Sequence, residues 1–383
     1  LHIDFASSPG PSLGIEVELE VVDAATGELA SAATDLLAEL GAGHPGGLHP
    51  KAKHELFECT VEIITGVCQT VGEARADLET TLAEVQRAAG ARGLALLCSG
   101  THPFSSWSDQ TVSPDPRYAR LVEEMQWMAR RLQIFGVHVH VGIRSPEKAV
   151  AIANAVAGYI PHFLALSASS PFWEGHDTGL ASSRSKIFEG LPTAGLPAPM
   201  VSWADFEQYM ETLVSSGSIS TVREVWWDVR PHPDFGTVEL RMCDGIPTMS
   251  EIAAVAALAQ SLVAWLDGLD DRGYTLPHHR DWVLRQNKWR AGRHGLDCDL
   301  IVDEHGRQEP ARAAVRDLVD EVAPTATKLG CREELGFVGK VLEVGPSYLR
   351  QRAAVGPDAV GADALRPVVD LLVDELRTDR IDR

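Results

Sequence analysis

The chain has 383 residues, 45% of them hydrophobic and 23% charged, a balance that excludes a disordered or collagen-like chain and provides for a sizeable core, in two or three domains or one large sheet-based domain. Thirty-four Lys and Arg against 54 Asp and Glu give a net charge of −20, a field that repels phosphate backbones and anionic lipid, so neither nucleic acid nor a membrane surface is an expected partner. The six cysteines, at positions 59, 68, 98, 243, 298 and 331, include no CxxC pair, which predicts reduced thiols in a cytoplasmic protein.

The chain begins at Leu1 without an initiator methionine, compatible with a removed N-terminal segment, and residues 1–12 read as an extension. In LGIEVELEVV, 13–22, Leu13, Ile15, Val17, Leu19 and Val21 alternate with Glu16, Glu18 and Glu20, the period of a half-buried strand. After a Gly-, His- and Pro-rich loop at 41–50, ELFECTVEIIT, 55–65, predicts a second strand with Glu58, Thr60 and Glu62 on its polar face. Leu78, Leu82, Val85 and Ala89, then Leu121, Met125, Met128 and Leu132, predict amphipathic helices on either side of a short strand near 94–99.

IFGVHVHVGI, 134–143, predicts a strand with Val137, Val139, Val141 and Ile143 on one face and Gly136, His138, His140 and Gly142 on the other. A helical stretch at 146–168, a loop at 182–199 and a helix with Phe206, Met210 and Leu213 follow. EVWWDVR, 224–230, and GTVELRMC, 236–243, predict two strands joined by PHPDF, whose prolines cannot continue a ladder. On the second of them, Glu239, Arg241 and Cys243 share a face. The apolar helix near 250–268 has an uninterrupted core, 252–266, shorter than the ~20 residues of a membrane span, so it is expected to be buried. The remainder reads as mainly helical, with a Gly/Ala-rich loop at 353–363 and a last helix carrying Leu365, Val368, Val369, Leu372 and Leu376. Strands in pairs, then helices, indicate an α+β fold with an antiparallel sheet. One domain over 13–352, followed by a loop and C-terminal helix at 353–383, is the expected division.

Four strands thus present Glu, His and Arg on one face, with glycines beside the histidines. A solvated face would more often mix Lys, Thr and Ser. The oxygen-rich set suits a hard cation, Mg²⁺ or Mn²⁺, better than four-coordinate zinc. Arg184, Arg230 and Arg241 could offer bidentate contacts to phosphate or carboxylate. Neither GxxxxGK[ST] nor GxGxxG after a strand occurs, so P-loop and Rossmann sites are not expected. Cys243 reads as a structural thiol rather than a nucleophile.

The blocks LGIEVELEVV, HELFECTVEIIT, GTHPF, FGVHVHVG, PHFLALSASSPFWEG, SSRSKIFEGLP, WWDVRPHPDFGTVELRM and NKWRAGRHGL, in this order, resemble the YbdK-type carboxylate-amine ligases, a branch of the glutamate-cysteine ligase type 2 family. The resemblance runs from Leu13 to about residue 350. It implies a glutamine-synthetase-like curved antiparallel sheet with the active site on its concave face and helices packed behind. It also implies an enzyme that uses ATP and Mg²⁺ to phosphorylate a carboxylate, usually the γ-carboxylate of glutamate, and joins it to an amine. By motif, Glu16, Glu18, Glu62, His138 and Glu239 look like metal ligands, and Glu55 stands where an acidic ligand is common although strict alternation faces it away from Glu62. Arg184, Arg230 and Arg241 resemble catalytic contacts to substrate and phosphate, and Asn287 and Arg293 lie in the block near the nucleotide. The partners are then small-molecule substrates, with a homodimer as the prior for such an enzyme. The competing readings are a metal-dependent amidohydrolase using His138 and His140, and a non-catalytic nucleotide-binding relative.

Overall fold

A computed structural model of the chain describes residues 2–381. Its main sheet is antiparallel and is organised around β1, Leu13–Asp23. With β1 stand β2 (Ala52–His54), β3 (Thr60–Ile64), β4 (Leu94–Leu97) and β5 (Gly136–Gly142). Phe172–Trp173 and His176–Asp177, β6 and β7, form a separate hairpin. β8 (Val229–His232) and β9 (Thr237–Asp244) complete the sheet, and β10 (Asp299–Ile301) pairs with β11 (Gln308–Pro310) elsewhere. The strand order is β2-β3-β1-β5-β9-β8, with β4 paired to the C-terminal half of β1.

The apolar residues of β1, Leu13 through Val21, are 0–1% exposed and join the main core. That core is closed by the helices Val71–Gly90, Pro146–Ala157 and Met249–Asp271. The first of these starts at a capping box in which Thr70 and Glu73 satisfy each other's backbone N–H groups. The stretch expected as one helix over 146–168 is two, Pro146–Ala157 and Ile160–Ser167, bent by 60° at a break before Pro161. Met249–Asp271 has 23 residues, long and apolar enough to cross a membrane. Its apolar surface is instead buried against β5 and the helices Ala311–Leu329 and Arg332–Val344.

Three local departures from the expected strands shape the site. The strand expected at 55–65 begins only at Thr60, because Glu58 turns away to accept hydrogen bonds from the Thr34 N–H (3.1 Å) and hydroxyl (2.7 Å) in the first turn of the helix Ala33–Gly41. A carboxylate at a helix N-terminus complements its dipole, and the resulting bend frees Glu55 from strand alternation. In the second pair, β8 starts at Val229 and includes Pro231, which pairs with Val238; an edge strand tolerates the missing N–H. Finally, the β5–β9 register shifts between Val137 and Val139, so Cys243 lies opposite Val137 and enters the main core. The bulge separates Cys243 from the face of Glu239 and Arg241, against the expectation from simple alternation.

Candidate active site

The polar face of the sheet lines a cavity of about 330 Å³. Glu16 and Glu18 reach it from β1, Glu62 from β3, His138 and His140 from β5, Arg230 from β8, and Glu239 and Arg241 from β9; Glu55 joins from the segment between β2 and β3, and Arg184 from the short helix Ser183–Phe188. The ladder makes several of these direct cross-strand neighbours: Glu16 faces His138, Glu18 faces Glu62, and Glu239 faces both His140 and Arg230.

One half of the cavity is electrostatically balanced. Glu239, 1% exposed, accepts a 2.6 Å bond from Arg230 Nε and a second bond from Arg241 Nη1. Burial works to raise its pKa, but the two guanidinium groups outweigh that and hold the carboxyl well below its usual range. Glu16 lies 3.2 Å from His138 Nδ1 and 3.5 Å from His140 Nε2, and these contacts outweigh its burial in the same direction. Burial, with Arg241 nearby, drives His138 down to about 4 and keeps its imidazole neutral.

The other half holds three carboxyls, Glu18, Glu55 and Glu62, that form no ion pair among the described residues. Burial and the neighbouring Glu55 push Glu18 up to about 8, even though its carboxylate accepts the Gly136 N–H. Glu62 rises well above the usual range through burial and the charges of Glu16 and Glu55, with Lys53 as an opposing cation. Glu55, bonded to the Leu56 N–H at 3.0 Å, is raised by burial as well.

This donor set fits a hard divalent cation. Ligand atoms of Glu16, His138 and Glu239 come within 4.8 Å of one another, and His138 Nε2 is buried without a hydrogen-bond partner. Glu239, already engaged by two arginines, is the least available of the three, whereas Glu18, Glu55 and Glu62 have no guanidinium bonded to them among the described residues. Oxygen donors in such number suit Mg²⁺ or Mn²⁺.

The arginines differ in what they leave free. Arg230 is committed to Glu239 and to the carbonyls of Arg223 and Val225, which fastens β8 in place. Arg184 and Arg241 each have a buried Nε without a partner. The Arg184 guanidinium lies so close over Gly136 that a Cβ there would come within 2.3 Å of its Nη2, so this glycine gives room to an arginine.

Asn287 and Arg293 do not line the cavity. The Asn287 amide is held at both ends by the Ile301 backbone, at 2.8 Å each, and Arg293 donates to the Gly179 carbonyl. Lining residues that sequence reasoning passed over include Lys53 of β2 and Arg117 and Arg120 of the helix Pro116–Met125. That helix was legible only through its apolar residues. His232 and Phe235, from the segment read as a mere connection, stack at 4.2 Å and both touch the His140 ring edgewise.

The family model described as glutamate-cysteine ligase family 2 matches residues 12–369. A protein of Frankia alni named "Putative glutamate--cysteine ligase 2-1" is 55% identical over 381 residues, covering 99% of each chain. "Putative glutamate--cysteine ligase 2" of Thermobifida fusca is 50% identical, covering 98% of this chain and 94% of its own. Among solved structures, a glutamate–cysteine ligase of Francisella tularensis in complex with AMP superposes with a TM-score of 0.69 at 13% identity, covering 99% of this chain and 91% of that one. A bifunctional glutathione synthetase of Pasteurella multocida gives 0.66 at 15% identity, covering 95% and 52%. At such identities these two carry the fold alone. The matches lend no support to an amidohydrolase or to a non-catalytic relative. From residue 12 to residue 369 the chain belongs to glutamate-cysteine ligase family 2, and with it to the ATP-dependent ligases.

Proposed function

We propose that the cavity activates the γ-carboxylate of glutamate as an acyl phosphate and passes the acyl group to an amine. A carboxylate is a poor electrophile at neutral pH, so ATP must supply the leaving group. Bringing that carboxylate to a polyanion requires positive charge in a dehydrated site. The observation that carries the reading is one cavity in which Glu18, Glu55 and Glu62, without an ion-pair partner among the described residues, stand beside two arginines, Arg184 and Arg241, with partnerless Nε donors.

In this reading Glu16, Glu18, Glu55, Glu62 and His138 hold Mg²⁺, with Mn²⁺ as a substitute, and Glu239 orients Arg241 as much as it faces the metal. The bound ions supply charge neutralisation for the triphosphate. Arg184 and Arg241 offer Nε–H groups to the oxygens of the transferring phosphoryl and the carboxylate. His140 is bonded through Nδ1 to the Thr237 hydroxyl at 3.0 Å, which orients the ring and leaves Nε2, 3.5 Å from Glu16 and 3.7 Å from Glu239, buried without a hydrogen-bond partner. The six cysteines are all buried and free, which supports a reducing, cytoplasmic setting.

The test is ADP release with ATP, Mg²⁺, glutamate and a panel of amines. Release stimulated jointly by glutamate and an amine, abolished by EDTA and not restored by zinc, is the expected result. Amide hydrolysis without ATP, or nucleotide binding without turnover across the panel, would overturn it.

A further inference from the structure

We infer that Asp244 is the positioning residue of Arg184, acting through the hydroxyls of Ser170 and Ser182; the inference rests on the proposed role of Arg184 at the reacting oxygens. Asp244 ends β9, is 0% exposed and does not line the cavity. Its Oδ2 accepts from the Ser169 N–H at 3.0 Å and from Ser170 Oγ at 2.7 Å, and its Oδ1 accepts from Ser182 Oγ at 2.8 Å. A serine hydroxyl has one hydrogen, so donating it to Asp244 leaves only lone pairs for other neighbours.

Those neighbours are N–H groups. Ser170 Oγ accepts from the Arg184 N–H at 3.1 Å. Ser182 Oγ accepts from the Ser185 N–H at 3.3 Å and so caps Ser183–Phe188, the helix that carries Arg184. An acceptor-only carboxylate therefore sets the polarity of both hydroxyls and, through them, where the arginine backbone sits. The carboxylate itself cannot swing away, because it is packed onto Gly100, whose Cβ, if present, would come within 2.7 Å of Oδ2. From this base the guanidinium extends over Gly136, with Nη1 3.4 Å from the Arg241 carbonyl and Nε without a partner.

Asp244→Asn keeps the shape and breaks the polarity. In either amide orientation an N–H₂ group faces a donor: the Ser169 N–H on one side, or the Ser182 hydroxyl on the other. The experiment is a double-mutant cycle of Asp244→Asn with Arg184→Lys, read by two methods. The arginine Nε–Hε signal of Arg184, assigned by its loss in Arg184→Lys, reports position without any turnover. Steady-state kinetics and melting temperature are measured on the same preparations.

The expected result is a displaced or broadened Arg184 signal in Asp244→Asn and a kcat lower by about 10²-fold, the scale of a small misplacement of a site group, with KM moving less. On the Arg184→Lys background the same change should bring no further loss of kcat while lowering the melting temperature as before. Ser182→Ala, which removes one donor, should move the signal and kcat in the same direction and decides the matter if Asp244→Asn does not fold. An unaltered Arg184 signal in a folded variant, or losses of kcat that multiply, would overturn the inference. Absence of turnover in the unsubstituted protein would count against the proposed reaction, and the signal would still decide the positioning.

Discussion

Arg241 shows how one side chain can serve both structure and chemistry. Its Nη1 neutralises Glu239 in a buried pair, while its buried Nε has no partner and is directed to ligand oxygens in the proposed reaction. Lysine keeps the charge but has one nitrogen and cannot do both. Arg241→Lys should therefore lower kcat by about 10² to 10³, the loss typical of one preorganised donor, with KM for ATP changing much less. Near-normal kcat with a lowered melting temperature would instead make the residue purely a partner of Glu239. At this scale the sequence displays which groups carry chemistry but not which of their atoms are already occupied. Asn287 is the plain case, since the Ile301 carbonyl and N–H claim both ends of its amide, while Arg293 already donates Nη1 to the Gly179 carbonyl, and no local pattern announces those partners.

The elements most legible in the sequence are those with clean alternation, β1 and β5, because burying one face of a sheet dictates a period of two. Alternation failed where a single residue had another task. Glu58 caps a distant helix and so breaks the second strand, and the β9 bulge sends Cys243 into the core, where burial pushes its thiol up to about 12. Neither event has a signature in the local pattern, as each depends on a neighbour remote in sequence. Gly136, one of the glycines beside the histidines, leaves room on the polar face, and what fills that room is the Arg184 guanidinium. Gly136→Ala should consequently leave the strand paired and displace Arg184, so that kcat falls by about 10²-fold while the far-ultraviolet circular dichroism stays unaltered. Full activity in that variant would mean that Arg184 has no role in its observed position.

Across the whole molecule, stability depends on histidines that the fold buries in neutral form. Burial drives His102 down to about 3 and His162 to about 4, and His102 is held between the Gly27 carbonyl and the Ser105 N–H at 2.9 Å each. In the unfolded chain both would take up a proton near pH 6.5. Through these two groups the unfolded state binds more protons as pH falls, so their share of the stability is fully present above about pH 6.5 and is lost toward pH 4 and below, by up to about 1.4 kcal/mol per pH unit for each histidine. His102→Gln isolates this contribution from carboxyls such as Glu18 and Glu62, whose raised pKa acts in the opposite direction: denaturation at a series of pH values should show the variant less stable at neutral pH, with the difference shrinking as pH falls from about 6.5 toward 4, and a difference that does not change with pH would contradict it.

The N-terminal segment, read as an extension, belongs to the same packed whole. Gly236, at φ +62°, and Gly142 leave room for Ala6, Ser8 and Gly10, and the segment is tied by the Ala6 N–H to the Pro233 carbonyl and by the Ser8 N–H to the Ile143 carbonyl. The overall charge of −20 only made phosphate backbones and anionic lipid poor expectations, whereas membership of the family shows the reaction class and implies small-molecule substrates. The most direct test of the account supplies glutamate with oxygen-18 in its γ-carboxylate, together with ATP, Mg²⁺ and an amine that supports ADP release, and determines the mass of the phosphate formed. Activation as an acyl phosphate predicts one labelled oxygen in each phosphate released with product; amide formation that leaves the phosphate unlabelled would contradict it.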